Sequence, residues 1–544
     1  MKTLLIAIDS KFIHTNLAVR YLKANTTYET QIMEFTIKDS IAFILDKITK
    51  ENPDIIAFSC YIWNIEMITH ITNELKSKLN SIILWGGPEV SYDAFYYMDN
   101  SKVDYIIKGE GELAFHEFLS AVDKVISFSQ VSGLMYREDN KIISNKEVII
   151  KDLNQLKSPY RFDNDTSNIH NKIQYIETSR GCPFHCSYCL ASLENNVRFF
   201  DIEKVKTEIL YLVENGGKTF KFLDRTFNVL PKYAKEMFSF IIQNHPENAS
   251  FQFEITGDIL KEELIHFLNE KAPSNLFRFE IGIQSTNIKT NEAVLRIQNN
   301  KVLFHHIKLL KEGNIVDMHL DLIAGLPYET LQIFQMTFNE VFLMYAKELQ
   351  LGFLKMLRGT LIRDEASKYG YVHQQMSPYE ILNNDFLSKE DVLIIHEVEE
   401  ILEIFWNKGF MNESVEWITR KVESVFSWFY QFSKFLHKRD FDFHRYQLDE
   451  VFSSIDDFVK ETRASDHPHF TSLLKKEYLL RHSIKPKIWW NKNLVSKNKH
   501  LREIQKEYPK YAIDDYYKYG VITPYDEDYL VVLYFPNETI SFTV

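Results

Sequence analysis

Four cysteines among 544 residues are too few for a disulfide framework, and three of the four fall within eight positions. A reducing, cytoplasmic setting is the expectation. No apolar run reaches the roughly 18 residues needed to span a bilayer. Positive charge is not in excess: 63 Lys and Arg stand against 75 Asp and Glu, a net charge of −12. That balance argues against a broad electrostatic hold on nucleic acid or anionic membrane. The opening Met1-Lys2-Thr3-Leu4-Leu5-Ile6-Ala7-Ile8-Asp9 lacks a small-residue cleavage site and reads as a first buried strand. Internal repeats and low-complexity tracts are missing too. What is there is the profile of a soluble globular chain, 45% hydrophobic and 25% charged. Its 29 Tyr and 41 Phe fit large cores, and its length fits roughly three or four domains.

The three clustered cysteines are written Cys182-x-x-x-Cys186-x-x-Cys189; the fourth, Cys60, is far away in sequence. Three thiolates at this spacing can hold three corners of a [4Fe–4S] cube. No local fourth thiolate is present, and an iron with an open position can bind and activate a ligand. A zinc loop or unconnected buried thiols are the competing readings. Zinc sites favour Cys-x-x-Cys pairs with a distant second pair, which this sequence does not contain.

That motif, with Tyr188 directly before the last cysteine and a strand-like run at 173–177 before it, resembles the radical S-adenosylmethionine (SAM) superfamily. The resemblance implies that the methionyl amino and carboxylate groups chelate the unique iron. It also implies that one electron splits the sulfonium to a 5′-deoxyadenosyl radical.

Residues 1–136 alternate short apolar runs (4–8, 30–35, 54–60, 82–85 and 103–107) with helical patterns such as 64–79 and 112–122. This argues an α/β fold with a doubly wound, Rossmann-like parallel sheet. Ligands in such sheets bind beyond the carboxyl ends of strands. Those ends here read Asp9-Ser10, Ser59-Cys60-Tyr61, Gly86-Gly87-Pro88-Glu89 and Gly109-Glu110-Gly111-Glu112. Turn chemistry alone explains any one of them; four in succession point to a site. The second and third of these ends and the run from Val103 to Glu112 resemble the cobalamin-binding domain of cobalamin-dependent radical enzymes, which precedes the cluster domain. The resemblance implies a cobalamin site drawing on Ser10, Ser59, Tyr61, Gly86, Gly87, Glu89, Gly109, Glu110, Gly111 and Glu112. Many such domains supply histidine to cobalt from Asp-x-His-x-x-Gly; around His14, Phe12 and Leu17 replace the Asp and Gly. His14 as a cobalt ligand and His14 as a structural residue both stay open.

Residues 137–170 read as a connector, with polar strand-like runs at 133–137 and 141–150 and a polar stretch at 163–171. Residues 171–358 then repeat a strand–loop–helix unit. Strands are expected at 173–178, 219–223, 251–255, 277–283, 316–323 and 349–356, and the clearest helices at 201–214 (Asp201 as N-cap) and 329–345. Six units fit a partial (β/α)6 barrel with its chemistry at the carboxyl-terminal strand ends. Those ends carry Asp224, Glu254, Gly257-Asp258, Glu280-x-Gly282-x-Gln284-Ser285, Asp321 and Gly325-Leu326-Pro327. Carboxylates there could bind ribose hydroxyls and an ammonium by charge-assisted hydrogen bonds, or serve as solvated strand ends and helix caps. The resemblance implies Asp224 for the methionyl amino group, in Leu223-Asp224-Arg225 where many members carry Gly-Gly-Glu. It implies Glu254 or Glu280 with Gln284 and Ser285 for the ribose, and the Asp321-to-Pro327 motif, with Gly325, for adenine.

Residues 359–544 read as a mostly helical extension. Apolar stripes at 392–406 and 415–436 are packing surface rather than a cofactor box, and a hairpin of 529–535 and 539–544 turns at Pro536-Asn537-Glu538. Lys485-Pro486-Lys487 and Trp489-Trp490-Asn491-Lys492 mix aromatics with cations as base-stacking surfaces do, but an acidic chain argues against nucleic acid. The region resembles an uncharacterised extension of one radical SAM subgroup. Taken together, the resemblances imply a cobalamin-dependent radical SAM enzyme that methylates an unactivated carbon of a small molecule or peptide, with flavodoxin or ferredoxin as electron donor. Cyclisation or rearrangement without methyl transfer remains an alternative. Lone Cys60 argues against methylthiolation, and the open-iron spacing argues against a cobalamin and iron–sulfur sensor or electron carrier.

Overall fold

The computed structural model describes residues 1–162, 166–194, 196–482, 489 and 497–544. Lys485-Pro486-Lys487, Trp490-Asn491-Lys492 and part of the polar connector lie outside the described residues. The chain divides into two compact units: 1–329 with 352–388, and 330–351 with 389–544.

The first unit holds one sheet whole and, of a second, all but the first four residues of the strand Glu348–Phe353. One has seven strands in the order β2-β1-β3-β4-β5-β6-β7: β1 Thr3–Asp9, β2 Thr30–Thr36, β3 Ile55–Ser59, β4 Ile82–Gly86, β5 Tyr105–Ile107, β6 Leu134–Glu138 and β7 Lys141–Ser144. The first five run parallel and the last two antiparallel. Every residue of β1 and β3 is buried, as continuous apolar strands covered on both faces should be. The sheet reaches Ser144, beyond the expected boundary at 136. The polar runs read as connector pair with its edge, where one face meets solvent and apolar content drops. The order 2-1-3-4-5 places a topological switch point between β1 and β3, where ligands of doubly wound sheets bind.

The second sheet has the order β15-β14-β13-β12-β11-β8, from β8 Ile173–Ile176, β11 Thr219–Phe222, β12 Ser250–Ile255, β13 Phe277–Gln284, β14 Asp317–Ala324 and β15 Glu348–Phe353. Two short strands, β9 Ser179–Arg180 and β10 Arg198–Phe199, pair antiparallel just after β8. Pairing from β8 to β14 is parallel and sequential, the open (β/α)6 arrangement expected. Alternation divides its faces. Phe220, Phe222, Phe251, Phe253, Phe277 and Phe279 fill the helix-covered face, while Lys221, Gln252, Glu254, Arg278 and Glu280 take the other. The β8 edge is hemmed by the first loop of the chain: Ile173 N–H donates to the Ile13 carbonyl (2.7 Å), and Thr15 Oγ1 donates to the Ile173 carbonyl (3.0 Å). After β15, short strands β16 Val372–His373 and β17 Ile381–Asn383 pair within the same unit.

The second unit takes in the helix Leu331–Phe342, whose Phe338 packs on Phe426 and Phe429. The stripe at 415–436 is two helices, Asn412–Thr419 and Val425–His437, because Ser424 caps a fresh start by accepting from Ser427 N–H. The terminal hairpin is β19 Asp528–Phe535 with β20 Glu538–Thr543, joined by an unforeseen β18, Gly520–Tyr525. Its Pro524 sits near the strand's end, where a missing donor is tolerated. Among the described residues no helix is long and apolar enough to cross a membrane.

Candidate active site

The loop of residues 182–189 leaves β9 through Gly181, whose φ is +90° and whose Cβ would lie 2.4 Å from the Asn196 carbonyl oxygen; only glycine fits. Cys182 and Cys186 are buried and Cys189 partly so. Thr226 Oγ1 lies 3.8 Å from Cys182 Sγ, and Arg296 Nη1 lies 4.0 Å from Cys186 Sγ and 3.3 Å from the Tyr188 hydroxyl. Ser187 ties the loop down, its N–H donating to Val294 and its carbonyl accepting from Ile362. Burial pushes the Cys189 thiol up, so a bound cation would have to draw its proton off. Among the described residues no three His, Cys, Asp or Glu side chains converge tightly enough for a single metal ion. A cube, which offers each thiolate a separate iron, asks for a wider spread.

Arg180, two residues before Cys182, is held by four carboxylate contacts. Glu177 grips it twice (2.8 and 3.0 Å), Glu110 accepts at 3.0 Å and Glu112 at 2.6 Å. Glu110 also accepts from Arg198 and from Ile150 N–H. These two acids, expected at cobalamin, are instead ion-pair partners that fasten the β5 end to the cysteine loop. Their flanking glycines are packed as well: a Cβ on Gly109 would meet Glu147 at 2.9 Å and one on Gly111 would meet Leu22 at 3.1 Å. The β4 end is similarly closed. A Cβ on Gly87 would strike the Cys60 carbonyl oxygen at 2.6 Å, so any side chain there collides with backbone, while one on Gly86 makes only ordinary contact with Ile107. Glu89 is buried, accepting from the Tyr97 (2.7 Å) and Tyr379 (2.6 Å) hydroxyls beside Arg358.

The switch point differs. Asn16 Nδ2 donates to Asp9 (3.1 Å) and to Ser59 Oγ (3.2 Å), and burial lifts the Asp9 carboxyl to about 6. Ser10 is partly exposed, and Tyr61 stacks on Trp63 with centroids 4.4 Å apart. His14 leaves this loop to hydrogen-bond Tyr175 on β8 through Nδ1 at 2.7 Å; burial lowers its pKa. A histidine oriented through Nδ1 has Nε2 as its remaining ligand atom.

On the polar face of the second sheet, Glu280 accepts from Lys221 (3.1 Å) and from Gln252, and His319 links Arg278 (2.9 Å) to Asp321 (3.2 Å). Arg278 can only donate, so His319 Nδ1 accepts and its Nε2–H faces Asp321. Burial, then Glu280 and Glu254, raise Asp321 to about 7, and burial raises Glu254. Three expected ligand groups are already engaged. Asp224, 1% exposed, accepts from Thr178 N–H (3.1 Å) and from the Thr178 and Ser179 hydroxyls (both 2.5 Å), and burial raises it to about 6. Ser285, 0% exposed, donates to Glu329 (2.5 Å) and accepts from Asn287 N–H. The Gly325 carbonyl accepts from Tyr371 (2.8 Å) and Asn384 (2.9 Å). Gln284, in contrast, has positive φ, sits at the β13–β14 register shift, and leaves Oε1 buried without a partner. An unmet acceptor at a strand end fits a hydroxyl-bearing ligand, as three thiols on one short loop fit a cluster.

Arg225 was not anticipated. It stands exposed between buried Asp224 and Thr226 and, among the described residues, has no hydrogen bond or ion pair. Its charge is felt by Glu254, Cys189, Tyr61 and Tyr92. The period-two alternation of Phe with Lys221, Gln252, Arg278 and His319 was the available signal for the polar face.

Residues 3–119 match the B12 binding domain family, residues 176–341 the radical SAM superfamily, and residues 367–519 a family described as a protein of unknown function. The cobalamin-dependent radical SAM methyltransferase TokK of Streptomyces tokunonensis is 24% identical over 300 residues, 52% of this chain and 44% of that protein. The chain thus spans less than half the length of that relative. An uncharacterized methyltransferase of Pyrococcus horikoshii is 23% identical over 435 residues, 77% of this chain and 87% of that one. The fold matches the cobalamin-dependent SAM radical enzyme OxsB, solved with aqua-cobalamin, at a TM-score of 0.61 and 14% identity, covering 88% of this chain and 80% of that one. With a B12-binding match over its first sheet and a radical SAM match over its second, cysteine loop included, the chain carries the pair of domains found together in cobalamin-dependent radical SAM enzymes.

Proposed function

We propose that the protein is a methyltransferase that uses cobalamin, SAM and a [4Fe–4S] cluster to methylate an unactivated carbon of a small molecule or peptide. One observation carries the reading: within one unit, the first loop of the B12-type sheet reaches the strand that leads to the three-cysteine loop, through His14 and Tyr175. When bound, the cluster supplies one-electron cleavage of SAM and cobalamin supplies a methyl carrier.

The chain's own part is positional and electrostatic. Cys182, Cys186 and Cys189 would hold the cluster as thiolates, with the Arg296 guanidinium beside Cys186 favouring the charged form. Glu254, Asp321 and Gln284 offer acceptors to ribose hydroxyls and the methionyl ammonium. Asp224 orients Thr178 and Ser179 at the entry to the loop instead of touching ligand. Asp9, Ser10, Ser59 and Tyr61 line the switch point where cobalamin would lie. TokK and the Pyrococcus horikoshii protein, methyltransferases by name, support methyl transfer. A flavodoxin- or ferredoxin-type donor would supply the electron.

Anaerobic reconstitution with iron, sulfide and cobalamin tests the reading. Reduction with SAM should yield 5′-deoxyadenosine, and methylation should add S-adenosylhomocysteine. A tetrahedral zinc in the loop, or no deoxyadenosine, would refute it.

A further inference from the structure

The cation at the carboxyl end of β11 is out of keeping with its neighbours. Asp224 before it and Thr226 after it are buried: the first binds Thr178 and Ser179, the second approaches Cys182 Sγ at 3.8 Å. One flank is therefore pinned to the lead-in of the cysteine loop and the other lies against its first cysteine, and Arg225 between them is left exposed. Other guanidiniums around the site are consumed. Arg180 and Arg198 bind Glu110, Arg296 binds Gly282, Gln298 and Tyr188, Arg358 binds Asp93 and Tyr379, and Arg363 binds the Met356 carbonyl. Arg225 alone among these has no partner in the described residues. Groups from three directions feel its charge: Cys189 in the loop, Glu254 on β12, and Tyr61 and Tyr92 of the first sheet's domain. A guanidinium offers a fork of donors and no acceptor, so what completes it is an oxyanion bound through two parallel hydrogen bonds.

We propose that Arg225 recognises the carboxylate of the methionyl group of SAM, so that the β11 end of this chain binds an anion rather than an ammonium. The inference rests on the reading of the thiols as the cluster and SAM site. It reverses the expectation for this strand end, because the one carboxylate there, Asp224, is spent on Thr178 and Ser179. The methionyl ammonium is then left to Glu254, one strand over, whose carboxylate shares the field of Arg225. One acid and one base on adjacent strands match the two charges of an amino-acid end.

The test uses the reconstituted full chain and equilibrium binding rather than turnover, with two probes: SAM and its decarboxylated analogue, which keeps the sulfonium and the amine. Arg225→Gln should weaken SAM binding by roughly 10- to 100-fold, as the loss of a charge-assisted pair does. It should leave the decarboxylated analogue unchanged, and Arg225→Lys should recover part of the loss. Iron content and cluster absorbance should stay at wild-type values, since the side chain is exposed and unpaired. Equal SAM affinity in wild type and Arg225→Gln would overturn the proposal, assigning the cation to another ligand. Equal losses for both probes would overturn it too. Failure of the wild type itself to bind SAM would instead remove the reading beneath it.

Discussion

The two halves of the first sheet end in similar-looking polar loops and use them in opposite ways. At the β4 and β5 ends, Glu89, Glu110 and Glu112 are satisfied by tyrosine hydroxyls and arginines from elsewhere in the unit, and Gly87 and Gly109 face Cys60 and Glu147. At the β1 and β3 ends, Ser10 and Tyr61 keep exposed surface, and the internal bonds of Asp9, Asn16 and Ser59 form a floor. A glycine- and acid-rich strand end thus marks either a ligand site or a lock between layers. Partners far away in sequence decide which. Under the proposed function, the switch point between β1 and β3 is the half that would take cobalamin.

Variants can break this contrast, and the largest effect falls on the thiols that both halves flank. Cys186→Ala should abolish the brown cluster chromophore and deoxyadenosine formation together; turnover retained in anaerobic assays would remove the centre of the comparison. Next is the closed half. Replacing Glu110 and Glu112 together by Gln leaves Arg180 with Glu177 only, and breaking a buried ion network of this kind costs about 3 kcal/mol. Urea unfolding should show that loss, while cobalamin bound per folded molecule stays constant. At the mouth of the second sheet, Asp224→Ala should cost about 1–3 kcal/mol by stranding the Thr178 and Ser179 donors, with Asp224→Asn costing less. An Asn variant that lost SAM binding with unchanged stability would return Asp224 to the ligand. In the open half, Ser10→Trp should lower cobalamin retention by about tenfold with stability within ~0.5 kcal/mol of wild type. Equal retention in this variant and in the double Gln variant would erase the difference between the halves.

The smallest effect is one of pH. Asp321 is raised to about 7 by burial and by its acidic neighbours. The folded state therefore holds this proton more tightly than the unfolded chain, whose carboxyl titrates near 3.8. Its contribution is fully present at low pH and falls away as pH rises between those values. Asp321→Asn should remove that slope and gain about 1 kcal/mol relative to wild type at pH 8 but nothing at pH 3.5, the carboxylate being 28% exposed and partly screened. Thermal unfolding at the two pH values reads the difference.

The sheets were legible because buried parallel strands are unbroken apolar runs, as Leu4 to Ile8 shows, and because the cysteine spacing is local. The lock on Arg180 was not: its partners Glu110 and Glu112 lie 70 and 68 residues away, and nothing in the run Gly109-Glu110-Gly111-Glu112 separates a salt bridge from a cofactor contact. Asp224 shows the same limit at shorter range. Its type and strand-end position suit a ligand, but Thr178 and Ser179 reach it first. Arg225, one position on, was passed over because the expectation there was for an acid. In the second unit, packing stripes were read correctly as packing, but the break at Ser424 and the strand with Pro524 depended on tertiary neighbours.

The stitch of Ile13 and Thr15 onto Ile173 carries a practical consequence for dissecting the molecule. A sheet that never curls round to meet itself has a raw selvage at β8, and the opening loop of the protein is what binds it. Fragments beginning near residue 171 should therefore come out of expression sticky and self-associating, whatever the quality of the barrel they encode.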